Sequence, residues 1–188
     1  MKTALVPLFT AALLGAAGSA LAEPAIYQNG TLTIPNGAIF TDSRQDYYTH
    51  IVLGADADGK LDLLSAIKMP LTYVDSVEPV VELTENGMAV TLYIAGSKSV
   101  PCVDLLEPAV NLKGDTFTVL LAETLTTASC VTALEPFELE IPLDVSGLDT
   151  GATYKVIVND EVETSFYLDV ALVLNPGPVI VVDPISTD

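Results

Sequence analysis

From residue 23 onward, no stretch of the chain keeps an apolar residue at every third or fourth position, so no amphipathic helix is written into it. Short runs of Val, Ile, Leu, Thr and Tyr recur instead, cut apart by Gly, Pro, Asn and Asp. That pattern belongs to many short strands joined by turns, and it restricts the fold to an all-β sandwich or barrel. Candidate strands cover 31–34, 47–53, 61–67, 80–83, 88–94, 117–121, 137–141, 154–158 and 164–168. Alternation sharpens several of them. Met88, Val90, Leu92 and Ile94 share one face, with Ala89, Thr91 and Tyr93 on the other; Phe117, Val119 and Leu121 form a second such face. Glu138 and Glu140 alternate with Phe137, Leu139 and Ile141, which predicts a half-buried strand with a solvated acidic side.

Turn chemistry places two hairpins. Residues 54–60, with Asp56, Asp58 and Gly59, separate two apolar runs, and Asn159-Asp160-Glu161 makes a tight connection suited to left-handed backbone angles. The expected organisation is a β-rich N-terminal unit over 23–76 and a sandwich over 77–170, of immunoglobulin-like size. A Pro-rich tail follows over 171–188, where the prolines allow an edge strand or none.

The first 22 residues read as a signal peptide. Lys2 precedes a long apolar run from Ala4 to Ala17, and small residues at Ala20 and Ala22 predict cleavage before Glu23. The apolar run is too short and too rich in Ala and Gly to span a bilayer comfortably, so no membrane span is expected after processing. The expected location is secreted or periplasmic, of bacterial type, and no Cys stands at the cleavage site to receive a lipid. Cleavage removes Lys2 from the seven basic residues, so 6 face 25 acidic ones and the net charge becomes −19. Such a surface repels phosphate backbones and anionic lipid, which excludes nucleic-acid binding.

Only two cysteines occur, Cys102 and Cys130. An even count in an exported chain reads as a disulfide, worth roughly 3–4 kcal/mol for a loop of this length if it is unstrained. The alternatives are two free thiols or a metal pair; the latter lacks CxxC spacing and has only His50 as an imidazole helper.

The segment Gly147-Leu148-Asp149-Thr150-Gly151-Ala152-Thr153-Tyr154-Lys155-Val156-Ile157-Val158 resembles the E–F corner of fibronectin type III and related immunoglobulin-like domains. The run that follows, ending in Thr164-Ser165-Phe166-Tyr167-Leu168, is similar to the last hairpin of exported bacterial sandwich modules. The resemblance implies an immunoglobulin-like antiparallel sandwich in which Leu148 anchors the core and Gly151 permits the turn. Tyr154 is then the corner tyrosine, its ring packed inward and its hydroxyl bonded to upstream backbone. The chain departs from such domains in having no Trp, and its cysteines do not bracket one. Cys130 follows a Thr-rich loop (Thr124, Thr126, Thr127), which it is placed to pin.

Chemistry-bearing residues are sparse. Nucleophilic hydrolysis needs a histidine, and His50 stands alone in a strand-like run; there is no G-x-S-x-G elbow. With 25 acids some carboxylate pair always exists, and no Trp offers a sugar platform. Asp56, Asp58 and Asp62 around Gly59 look like a fragment of an EF-hand loop, but Gly54 and Ser65 fall at its first and last ligand positions, so calcium competes with a plain Asp/Gly hairpin turn. Asn29-Gly30-Thr31 matches a glycosylation sequon, idle in a bacterial context. The expectation is therefore an exported non-enzymatic protein, without cofactor, acting as a binding, adhesion or envelope-structural module on a protein or glycan partner. A calcium-dependent or carbohydrate-active protein, and an inhibitor of a secreted hydrolase, are the competing readings.

Overall fold

Among the described residues of the computed structural model, every regular element is a β-strand. The structure describes residues 24–41, 44–85, 87–125 and 129–169. The expected signal peptide (1–22), Thr126, Thr127 and the expected tail (171–188) lie outside the described residues. The strands are β1 (Ile26–Gln28), β2 (Thr31–Thr41), β3 (Arg44–Ala55), β4 (Leu61–Met69), β5 (Tyr73–Thr84) and β6 (Gly87–Lys98). They continue with β7 (Ala109–Lys113), β8 (Thr116–Leu120), β9 (Glu135–Leu143), β10 (Ala152–Val158) and β11 (Val162–Leu168).

Two sheets make the sandwich, β5-β6-β9 and β11-β10-β8-β7. The alternation seen in the sequence sets their inner faces. Val90, Leu92 and Ile94 of β6, with Ile141 and Leu143 of β9, pack against Phe117 and Val119 of β8, Val156 and Val158 of β10, and Phe166 and Leu168 of β11. Glu138 and Glu140 are exposed on the outer side of β9, as their alternation predicts. Phe117, Tyr154 and Phe166 form an aromatic group with ring centroids 5.6–6.3 Å apart. Gly96 lets β5 come close, because a Cβ there would lie 2.3 Å from the Tyr73 carbonyl oxygen. The strand pairs are antiparallel except β8 with β10, which run parallel. The chain makes that parallel return by crossing to the other sheet through β9.

The third sheet, β1-β2-β3-β4, holds the N-terminal strands. Asn29 (φ 52°) and Gly30 (φ 77°) form its first turn, the left-handed pair that a two-residue hairpin requires. This sheet packs on the sandwich through a small second core. There Tyr47 and Met69 pack on Leu120 and Ala122, with Ala38, Phe40 and Leu71 around them. The Tyr47 hydroxyl donates to the Glu107 carbonyl at 2.8 Å, across the junction.

The boundary expected after residue 76 falls inside β5. The chain changes sheets earlier, at Pro70-Leu71-Thr72. Pro70 has no N–H to continue the β4 ladder, and the three residues pair instead with 121–123: Glu123 N–H donates to Pro70 O at 3.0 Å and Thr72 N–H to Leu121 O at 3.0 Å. Val74 is already part of the sandwich core.

Candidate binding surface

The corner residues fall together. Gly151 has φ 83°, Leu148 packs on the sandwich core, and Tyr154 is buried in it. The Asp149 N–H donates to the Tyr154 hydroxyl at 2.9 Å, and that hydroxyl donates to the Asp149 carbonyl at 3.2 Å. One phenol thereby satisfies both backbone groups of a residue five positions upstream.

Cys102 and Cys130 form a disulfide, with their Cα atoms 6.1 Å apart. Neither stands in a strand, so the bond joins the β6–β7 connection to the β8–β9 connection and does not cross-link the two sheets. Glu123 reinforces the same place. Its buried carboxylate accepts from the Ser99 N–H at 2.9 Å and from the Ser99 hydroxyl, while the Thr124 N–H bonds to Asp104 O at 2.9 Å.

Asp56, Asp58 and Asp62 are not gathered into one cluster. Asp56 Oδ1 accepts from the backbone N–H of Asp58 (2.9 Å) and of Lys60 (2.8 Å), closing the β3–β4 turn, and Asp62 pairs with the Lys60 ammonium at 3.4 Å. No set of three or more His, Cys, Asp or Glu side chains among the described residues is placed to hold a metal ion. His50 is exposed at φ 50°, with Nδ1 3.4 Å from Thr49 Oγ1, and marks an irregularity in the β3–β4 register. It lines an open apolar groove of about 340 Å³ between the N-terminal sheet and the stapled loops, together with Ile67, Met69, Leu106 and Leu125. A broader trough of about 520 Å³ lies on the outer face of β5-β6-β9, where Glu78, Glu138 and Glu140 surround Tyr93.

Two residues carry more than their sequence signal promised. Asn159, which reads only as a turn former, is buried at φ 51°. Its carbonyl oxygen accepts from Leu121 N–H at 2.8 Å, and its amide donates to Thr72 O (2.8 Å) and Leu121 O (3.0 Å), so one side chain ties β10 to both strands of the junction. Asp46 is buried on β3 and bonded to the Lys68 ammonium (2.5 Å), to Arg44 and to the Tyr48 hydroxyl (3.1 Å). Lys68 first, then Arg44, holds its carboxyl down to about 2. The 3.6-residue or two-residue periods could not flag either residue, because both act through partners distant in the chain.

Strand β4 exposes four large apolar side chains. Leu61, Leu63, Leu64 and Ile67 are 45–64% exposed, and only Met69 at its end is buried. Among the described residues β4 is also an edge: it pairs with β3 on one side and ends the sheet on the other. Charge distinguishes this region as well. Residues 24–70 hold three basic residues (Arg44, Lys60, Lys68) and five acidic ones, whereas residues 71–188 hold three basic and nineteen acidic. An exposed apolar strand on the least charged part of an acidic protein has the makings of a contact surface. No described helix is long and apolar enough to cross a membrane.

No curated protein and no solved structure matches the chain. The sandwich itself is matched: residues 92–168, from the middle of β6 to the end of β11, fit the family model of the ORF11 beta-sandwich domain.

Proposed function

We propose that this chain is an exported, non-enzymatic recognition module, in which a sandwich of the immunoglobulin and fibronectin type III kind holds out a four-stranded sheet to a protein partner. The single observation that carries the reading is strand β4, with four large apolar side chains exposed along an edge that no other described strand pairs. Soluble surfaces seldom keep such a strip unless something covers it, and an open edge recruits a partner strand through main-chain hydrogen bonds. The sandwich kind is supported by the Leu148, Gly151 and Tyr154 corner; the parallel β8–β10 pair departs from the all-antiparallel arrangement of those domains. Export to the periplasm or medium is supported by the N-terminal sequence and by the disulfide.

The test is comparative capture from envelope extract with the immobilised mature protein and with its Leu63→Asp variant. Partners retained by the wild type and lost by the variant are expected. An identical captured set for both proteins overturns the assignment of the surface to β4.

A further inference from the structure

Strand β4 is complementary to itself when turned end for end. We propose that two copies of this chain associate by antiparallel pairing of their β4 edges, about a two-fold axis at Ser65. This deepens the recognition reading above, and rests on it, by taking the partner at β4 to be a second copy.

The register follows from the residues. With Ser65 opposite its own counterpart, Leu63 of each copy faces the partner's Ile67, Leu64 faces the partner's Ala66, and Asp62 faces the partner's Lys68. Apolar residues then meet apolar ones, and each charge meets its opposite. Two-residue slips lose this match. One sets Lys60 against the partner's Lys68, a like-charge pair, and the other sets Lys68 against the partner's Leu64. Asp62 and Lys68 are paired within the chain to Lys60 and Asp46, but their side chains are 59% and 63% exposed, and Ser65 is exposed, so all three face the open edge.

Several other edges are short or carry proline, whereas β4 is disturbed only by the register shifts on its β3 side. β1, at the far side of the same sheet, is three residues long. β9 carries Pro136 and Pro142 with outward Glu138 and Glu140, and β5 carries Pro79. β4 runs for nine residues without Pro or Gly. Electrostatics points the same way. Two copies of a molecule with formal net charge −18 repel each other, least where the local charge is nearly balanced, and residues 24–70 are that place. Pairing there joins two four-stranded sheets into one of eight and keeps the acidic sandwiches apart.

Sedimentation equilibrium of the mature protein tests association, and Ser65→Cys tests register. Across an antiparallel pair the two Cβ atoms stand about 4.5–5.5 Å apart, close enough for a disulfide after a small adjustment. The native cysteines do not interfere, because both are already paired. We expect a reversible dimer, oxidative cross-linking of Ser65→Cys into a covalent dimer, and little cross-linking of Gln28→Cys on the opposite edge. Leu63→Asp and Asp62→Lys should each weaken association at least about tenfold, with thermal melts of the dilute monomers near wild type. A protein that stays monomeric on the order of 100 μM, or Ser65→Cys that cross-links no more than Gln28→Cys, overturns the proposal. Dimers that appear only after residues 170–188 are deleted also overturn it, because the chain's own tail is then the occupant of the edge. A monomer would leave the comparative capture experiment untouched, so the two readings fail separately.

Discussion

The sandwich and the N-terminal sheet are both made mostly of antiparallel strands, yet they use their apolar residues differently. In the sandwich, Val90, Leu92, Val119, Val156 and Val158 are 0–1% exposed, because each inner face has another sheet opposite it. In the N-terminal sheet, Tyr47 and Met69 find such cover on Leu120 and Ala122, while Leu63 and Leu64 remain 63–64% exposed. The lesson is that alternation specifies which side chains share a face, and only the neighbouring layer decides whether that face becomes core. Stability should therefore reside in the sandwich and its junction, and recognition in the overhanging sheet.

The largest expected effect lies at the corner. Tyr154→Ala removes a buried ring stacked on Phe166 (centroids 5.6 Å apart) and edge-on to Phe117, and should cost about 3–5 kcal/mol. Tyr154→Phe keeps the ring and leaves both Asp149 backbone groups without their hydroxyl, and should cost about 1–2 kcal/mol. Urea melts read both. Equal, wild-type midpoints would place the sandwich's stability elsewhere. Next comes the disulfide, which closes a loop between positions 28 apart. Replacing Cys102 and Cys130 with Ala should cost about 2–4 kcal/mol in the same melts.

Asn159 sharpens the comparison, since it belongs to the sandwich and bonds the junction. Asn159→Ala leaves Leu121 N–H and Thr72 O without their side-chain partner and places Ala at a left-handed angle, for about 2–3 kcal/mol. Asn159→Gly relieves the backbone and should recover only part of that loss; full recovery would mean the amide bonds contribute nothing.

The smallest effect belongs to the N-terminal sheet. Asp46 titrates near 2, below its ordinary 3.8, because Lys68 and Arg44 bond its charged form. A lowered carboxyl favours the folded state above pH 3.8 and loses that contribution as pH falls from 3.8 towards 2. Lys68 and Arg44 have side chains 63% and 55% exposed, so solvent reduces the gain to about 1 kcal/mol. Asp46→Asn should flatten the stability of the protein over that window, measured by denaturant melts at each pH.

Much of the sandwich was legible because its strands alternate cleanly. Met88 to Ile94, Phe117 to Leu121 and Phe137 to Ile141 all present the faces that their sequence predicts. The turn at Asn159-Asp160 takes the left-handed angles its residues favour. Strand β1 escaped because Asn29-Gly30 reads as half of a sequon, although the same dipeptide is a strong two-residue hairpin signal. β7 escaped because Ala109 to Lys113 is short and follows Pro108. The early strands run longer than their apolar runs suggest: β2 continues through Pro35, Asn36 and Gly37, residues that local propensity assigns to a turn. Their pairing with β3 overrides that preference. The proposed contact surface was the least legible part. Leu61, Leu63, Leu64 and Ile67 look like any strand's core residues, and nothing in their own sequence says that no described layer covers them.

Native-state hydrogen exchange, followed at two protein concentrations, separates the two regions most directly. In dilute protein the amides of β4 should exchange far faster than those of Leu92, Val119 and Val156, which open only with global unfolding. Raising the concentration should slow exchange along Leu61 to Lys68 and leave the sandwich rates unchanged. β4 amides as slow as the sandwich core in dilute protein, or a concentration dependence that falls on the sandwich strands, would contradict the division of labour between the two.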